Sequence, residues 1–418
     1  ASPVTTAGIA GTGGGAASNV TINVADDVAD PAVTIASIGT DIGTVLVTQS
    51  SGVTVTGTTS VATLDLDDTR NGQTISFQDD LTVGTAMTAA GQGYNVSITG
   101  AGNTIAGNTT FSNTGTLTIG DGAGDATEFT GGVTATAQTG AAGVTTGGTI
   151  SSTDAAITLG DGDTGLTLGA ATTIDANAAT VAGDISLGDV TGAGNTLTLE
   201  TGNGVAGADV DGLSVAGVST LTLQNIGGTA EFTGSVSLTD LTVAATVNNV
   251  SLLGGGTITN AVTFSNTGTL TVGDAAGDNT AFTGGVTATA PSSKSIAGTI
   301  SAAGAGVIDL GTSATSVTAD TTVGGTSTGQ ITLAATTLAD GVTLTLGAGA
   351  ASPVTTAGIA GTGGGAASDV TINVADDGTL PAVTIASIGT DIGTVLVTQS
   401  SGTTVTGTTS VATLDLDD

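Results

Sequence analysis

Thirty-five acidic residues and two cations, Arg70 and Lys294, carry most of the ionisable chemistry of this 418-residue chain, which contains no His and no Cys. Nucleophilic triads need an imidazole or a thiolate, so the common schemes of that kind are closed. Carboxylate chemistry stays open in two forms. Asp65 with Asp67, Asp161 with Asp163 and Asp209 with Asp211 are spaced two apart, so each pair shares one face of an extended strand, and paired carboxyls are the machinery of glycoside hydrolysis. Asp-Gly turns offer carboxylate and carbonyl oxygens to calcium, which takes about six to eight of them. The candidates are Asp121 and Asp125 in Gly-Asp-Gly-Ala-Gly-Asp, their counterparts Asp274 and Asp278, and Asp161 with Asp163 in Gly-Asp-Gly-Asp-Thr-Gly. None completes a Gly-Gly-x-Gly-x-Asp nonapeptide or an EF-hand loop. Solvated Asp on ordinary turns is the plain alternative for all of them. With Glu only at 128, 200 and 231, and Tyr94 the single residue suited to a sugar platform, the expectation is a protein that is not an enzyme.

Charge restricts the partners. A formal net charge of −33 leaves no cation cluster to neutralise phosphate, which argues against nucleic acid and anionic membrane surfaces, whereas acidic surfaces attract divalent cations. Asn19, Asn95, Asn108 and Asn249 head Asn-x-Ser/Thr sequons, acceptors for glycosylation in a secreted protein. No run of about 18 apolar residues is present, so no helical membrane span is expected. A leader peptide, if there is one, is expected upstream of Ala1, because Ala1 falls inside a repeat.

The elements that would position these residues are short and alternating. Val20-Thr21-Ile22-Asn23-Val24, Asn95-Val96-Ser97-Ile98-Thr99 and Thr343-Leu344-Thr345-Leu346 each place Thr, Ser or Asn on one face and Val, Ile or Leu on the other, the signature of a strand with one buried side. Gly, Asn and Asp clusters end them. With 70 Gly, six Phe and no Trp, any core is narrow and built from small branched side chains. Charged residues are only 9% and mean hydropathy is +0.40, too apolar for a disordered chain.

Three nested periods organise the strands. Residues 1 to 68 return at 351 to 418 with five differences: Asn19 against Asp369, Val28-Ala29-Asp30 against Gly378-Thr379-Leu380, and Val53 against Thr403. Residues 1–350 therefore read as one full repeat and 351–418 as the start of the next. Within the unit, Thr110-Phe111-Ser112-Asn113-Thr114-Gly115 matches Thr263 through Gly268, an offset of 153. Phe111 and Phe129 lie 18 apart, as do Phe264 and Phe282, which suggests coils of about 16 to 20 residues and, at about 4.8 Å per coil, on the order of 90 Å per repeat. The expected fold is all-β, an elongated β-solenoid, with tandem β-sandwich domains as the alternative. The block that varies beside Pro31 and Pro381 is expected to be a loop.

Units such as Gly-Asn-Thr-Thr-Phe-Ser-Asn-Thr-Gly-Thr-Leu-Thr-Ile-Gly (107 to 120) and Gly-Gly-Thr-Ile-Thr-Asn-Ala-Val-Thr-Phe-Ser-Asn-Thr-Gly (255 to 268) resemble bacterial β-strand-repeat surface proteins: autotransporter passengers, filamentous-haemagglutinin-like adhesins and extracellular fibre proteins. The resemblance is one of texture over the whole chain. It implies an extracellular or cell-surface β-helix. The functional expectation is a structural segment of a long fibre, self-assembling head to tail or laterally with copies of itself, or acting as a rigid stalk. The alternatives are an adhesin whose glycan- or host-binding tip lies outside this segment, and a calcium-stabilised surface-layer lattice.

Overall fold

The structure, a computed structural model, describes residues 4–25, 32–139, 143–376 and 382–417, and these form strands, turns and bends with no helix among them. The chain divides into two compact units, Ala1–Leu213 with Asn225–Gly228, and Ser214–Gln224 with Thr229–Asp418. Each is a stack of three-strand coils.

In the first unit one column of parallel strands contains Val33–Ile35, Val53–Val55, Thr74–Phe77, Asn95–Ile98 and Leu117–Ile119. A second runs through the front of Leu81–Ala89 to Gly102–Ile105 and Ala126–Phe129. The third takes the back of Leu81–Ala89, then Thr109–Phe111, Val133–Ala135, Ile157–Leu159, Ile185–Leu187 and Val210–Gly212. Long strands such as Thr59–Leu66 serve two columns by slipping register between Val61 and Thr63, where the chain turns a corner. The second unit repeats this plan: Thr229–Phe232, Asn249–Leu252, Thr269–Val272 and Ser293–Ala302 form one of its columns. The described strand pairs are parallel, which excludes the antiparallel sandwich alternative and establishes the solenoid.

The period-two pattern sets the core. Val33, Val53, Ile75, Val96, Leu117, Val144 and Leu166 lie in line, all buried, and their neighbours Thr34, Thr54, Ser76, Ser97, Thr118, Thr145 and Thr167 line up on the outside. Thr5 and Thr191 extend that outer file at its two ends, giving an unbroken row of hydroxyls with no carboxylate in it.

The coil is longer than the phenylalanine spacing implied. Register partners are 20 residues apart from Val33 to Val53, 24 from Thr109 to Val133 and 29 from Val4 to Val33. The 18-residue interval measures a different path. Phe111 belongs to the third column and Phe129 to the second, so the pair meets across the core, edge to face at 6.1 Å; Phe264 and Phe282 do the same at 5.9 Å. The varied segments 28–30 and 378–380, with Pro31 and Pro381, lie outside the described residues.

Most of the returning sequence folds in the same way in both places, although Val4–Thr6 is three residues long where Val354–Gly361 is eight. Ile38–Gln49 and Ile388–Gln399 have the same span, and Thr44 pairs with Thr63 as Thr394 pairs with Thr413. Leu64 and Leu66 are 0% exposed beneath the following coil, whereas Val181 is 60% exposed. Leu64→Ala is therefore expected to cost about 2 to 5 kcal/mol of unfolding free energy, and Val181→Ala less than about 1. Denaturant unfolding of this chain, followed by far-ultraviolet circular dichroism, checks the pair; equal losses would contradict the stacking.

Candidate functional site

The acidic turns are built around backbone donors. The Asp125 carboxylate accepts from the N–H groups of Asp121 (2.9 Å) and Gly122 (2.8 Å), and Asp278 accepts from Asp274 (2.9 Å) and Ala275 (2.8 Å). The turn opens on Gly120 at φ +69, where a Cβ would sit 2.1 Å from the Gly147 carbonyl, so only glycine fits. Asp161 accepts from the N–H of Asp163 (3.0 Å) and of Thr164 (2.9 Å). Each loop thus turns one carboxylate toward its own backbone, as Asx turns do. Asp121, Asp163 and Asp274 remain exposed. Among the described residues no three His, Cys, Asp or Glu side chains come together in a way that could hold a metal ion.

The paired carboxylates are distributed along the coils. Asp211 sits outward in Val210–Gly212, where desolvation, and then the charges of Asp209 and Asp184, raise its pKa above the ordinary carboxylate range. Asp175 lies in register with Glu200; desolvation chiefly raises it as well, the Asn177 N–H opposes, and Glu200 adds to the rise. Tyr94 forms no sugar platform: it is fully buried, donates to the Leu66 carbonyl at 2.5 Å, and burial pushes its phenol well above the ordinary range.

The sequons and the Ser-Asn-Thr-Gly motif do structural work in this fold. Asn95 accepts from the Thr116 N–H (2.8 Å) and donates to the Gly72 carbonyl (3.2 Å), bridging coils on both sides. Asn249 accepts from the Thr269 N–H at 2.8 Å, and Asn19 from the Thr44 N–H at 3.0 Å; Asn108 is exposed. Inside the motif Asn113 is fully buried and donates to the Tyr94 and Thr116 carbonyls, as Asn266 does to those of Asn248 and Thr269. The following glycine, Gly115, passes so close to the previous coil that a Cβ would lie 2.2 Å from the Tyr94 carbonyl. This repeated tetrapeptide is a corner.

Two features have no signal in the motifs above. Asp154, at φ +53, clamps the next coil through the N–H groups of Ala179 (2.5 Å) and Thr180 (2.8 Å) and the Thr180 hydroxyl (2.7 Å). The Thr180 and Ala179 N–H groups, followed by that hydroxyl, hold its carboxyl well below the ordinary range. Lys294 is only 3% exposed, in line between Leu270 and Thr315, and donates to Ser313 Oγ (2.5 Å) and the Gly311 carbonyl (3.5 Å). Burial lowers its pKa, and the charge of Asp309 opposes that shift.

Comparison with family models, curated proteins and solved structures finds no match. What the residues provide is a set of ties, within turns from Asp125, Asp161 and Asp278 and between coils from Asn95, Asn249 and Asp154.

Asp125→Ala should cost about 1 to 3 kcal/mol through its two lost hydrogen bonds, and Asp125→Asn less, since an amide oxygen still accepts. A calcium role for the same loops would appear as a lower melting temperature in chelator, absent in Asp125→Ala. A depressed carboxyl stabilises above the ordinary Asp range and loses that contribution as pH falls through its folded value. The stability advantage of wild type over Asp154→Asn should accordingly shrink in acid; an advantage independent of pH would remove the clamp. For Lys294 the sign reverses. Its lowered pKa means the unfolded chain binds the extra proton, so stability relative to Lys294→Met should rise as pH climbs toward the ordinary lysine range, measured by melting across alkaline pH.

Proposed function

We propose that this chain is a non-enzymatic structural segment of a long repetitive extracellular or cell-surface protein, in which tandem coils supply length and stiffness. The observation that carries this reading is the return of residues 1–68 at 351–418, where Ile38–Gln49 and Ile388–Gln399 keep the same span and pair in the same register with the strand of the next coil. A sequence that takes up the same strands and register where it recurs behaves as a building module, and adding modules lengthens a ladder. Inter-coil ties from Asp154, Asn95 and Asn249 support the same reading, because they hold neighbouring coils together.

Copies of the chain are the expected partners, side by side or end to end. The outer hydroxyl file favours side-by-side contact, since it is a face on which two chains of net charge −33 approach without opposing carboxylates. A glycan- or host-binding tip, if the array carries one, belongs to other segments.

Proteins carrying one, two and three 350-residue units should grow in length by about 70 to 80 Å per unit in electron micrographs, at about 4.8 Å per coil. Particles that stay compact as units are added would overturn the proposal.

A further inference from the structure

The internal duplication supplies a control for Lys294. In the first unit the buried file runs Leu117, Val144, Leu166; in the second the corresponding file runs Leu270, Lys294, Thr315. An apolar stack has become an amine topped by a hydroxyl, and Thr315 Oγ1 is buried with no hydrogen-bond partner. The polar neighbour changes with it. In the first unit Thr164 Oγ1 donates to the carbonyls of Thr136 (2.9 Å) and Gln138 (3.1 Å). In the second, Ser313 Oγ donates to the carbonyl of Pro291 (2.6 Å), the counterpart of Gln138, and also receives Lys294 Nζ at 2.5 Å. The secondary hydroxyl that only closes a corner is replaced by a primary one in contact with an amine.

The surroundings suit a reactive hydroxyl. Ser313 is half-buried, and the residue before it, Thr312, holds φ +77, a conformation costly for a branched side chain. The two residues before Ser313, Gly311 and Thr312, begin an open, largely apolar groove of about 520 Å³ that continues along Thr332, Leu333 and Ala334; Ser313 is not one of its lining residues. Lys294 has no carboxylate among its hydrogen-bond partners; Asp309 is the acidic group that acts on it. A buried amine without an ion-pair partner favours its uncharged form, and an uncharged amine touching a hydroxyl is a general base.

We propose that Lys294 and Ser313 form a serine–lysine dyad in which Ser313 is a nucleophile toward small esters and other activated acyl donors that reach its half-buried hydroxyl from solvent. The hydroxyl proton turns from the Pro291 carbonyl to Nζ. As Oγ attacks the acyl carbon, Nζ takes that proton, and it returns it to the departing alkoxide. An ester and Ser313 thereby give O-acyl Ser313 and one alcohol, the amine is regenerated, and no other reactant is consumed. This chemistry is independent of the fibre reading, which stands or falls on particle length.

The test is labelling of the full chain with a fluorophosphonate probe and with p-nitrophenyl acetate, read by intact mass and peptide mapping. One adduct is expected, on the peptide containing Ser313, with the peptide containing Thr164 unmodified. The labelling rate should level off at a pH below the ordinary lysine range. Lys294→Met, with circular dichroism confirming the fold, should slow labelling at least tenfold, and Ser313→Ala should abolish it. No adduct on the wild-type chain, a rate that tracks hydroxide alone, or labelling of Ser313 unaffected in a folded Lys294→Met protein would each overturn the dyad. If Lys294→Met does not fold, the wild-type pH profile decides.

Discussion

Every feature of this protein answers to one constraint: each strand must match the strand one coil below it, residue for residue, in a parallel hydrogen-bonded ladder with a spacing near 4.8 Å. The ladder fixes which residues touch. A side chain meets the side chains directly above and below it, so like stacks on like: Val33 on Val53 on Ile75 inside, Thr34 on Thr54 on Ser76 outside. A narrow interior of this kind selects small branched residues, and its aromatics sit either within a column, as Phe77 does between Val55 and Ile98, or where two columns face each other, as Phe111 and Phe129 do. Backbone groups at the corners, which the ladder cannot reach, are taken up by buried asparagines and by carboxylates such as Asp125 and Asp278.

The same constraint explains what was legible in the sequence. Strand identity and the inward face were readable because alternation encodes both at once, and the solenoid followed from unbroken alternation with no linker. Coil length was not readable from phenylalanines, since neighbours in sequence register and neighbours across the core give different intervals and nothing in the linear order tells them apart. The acidic loops announced oxygen ligands, but their geometry depends on which N–H groups converge, and that is fixed by Gly120 and its positive φ. Lys294 was legible in principle: counting by twos from Ile296 puts it on the inner face. Its serine partner was not, because Ser313 reaches it only through the stacking of one coil on the next.

An acidic excess this large must be placed where a stack tolerates it. Like charges one coil apart repel, and the upward shift of Asp175 beside Glu200 records the strain, desolvation being its first cause. Elsewhere the carboxylates are absorbed by N–H donors at corners, Asp154 most completely. The hydroxyl file that runs from Thr5 to Thr191 is the complement of this arrangement, a strip from which charge has been kept away.

Coils of 20, 24 and 29 residues coexist in one stack because extra residues leave at the corners and re-enter the ladder in register. Length is thus free to vary at the corners while the ladder stays paired, so an insertion or deletion there changes the outline of one coil and leaves the coils above and below it in register.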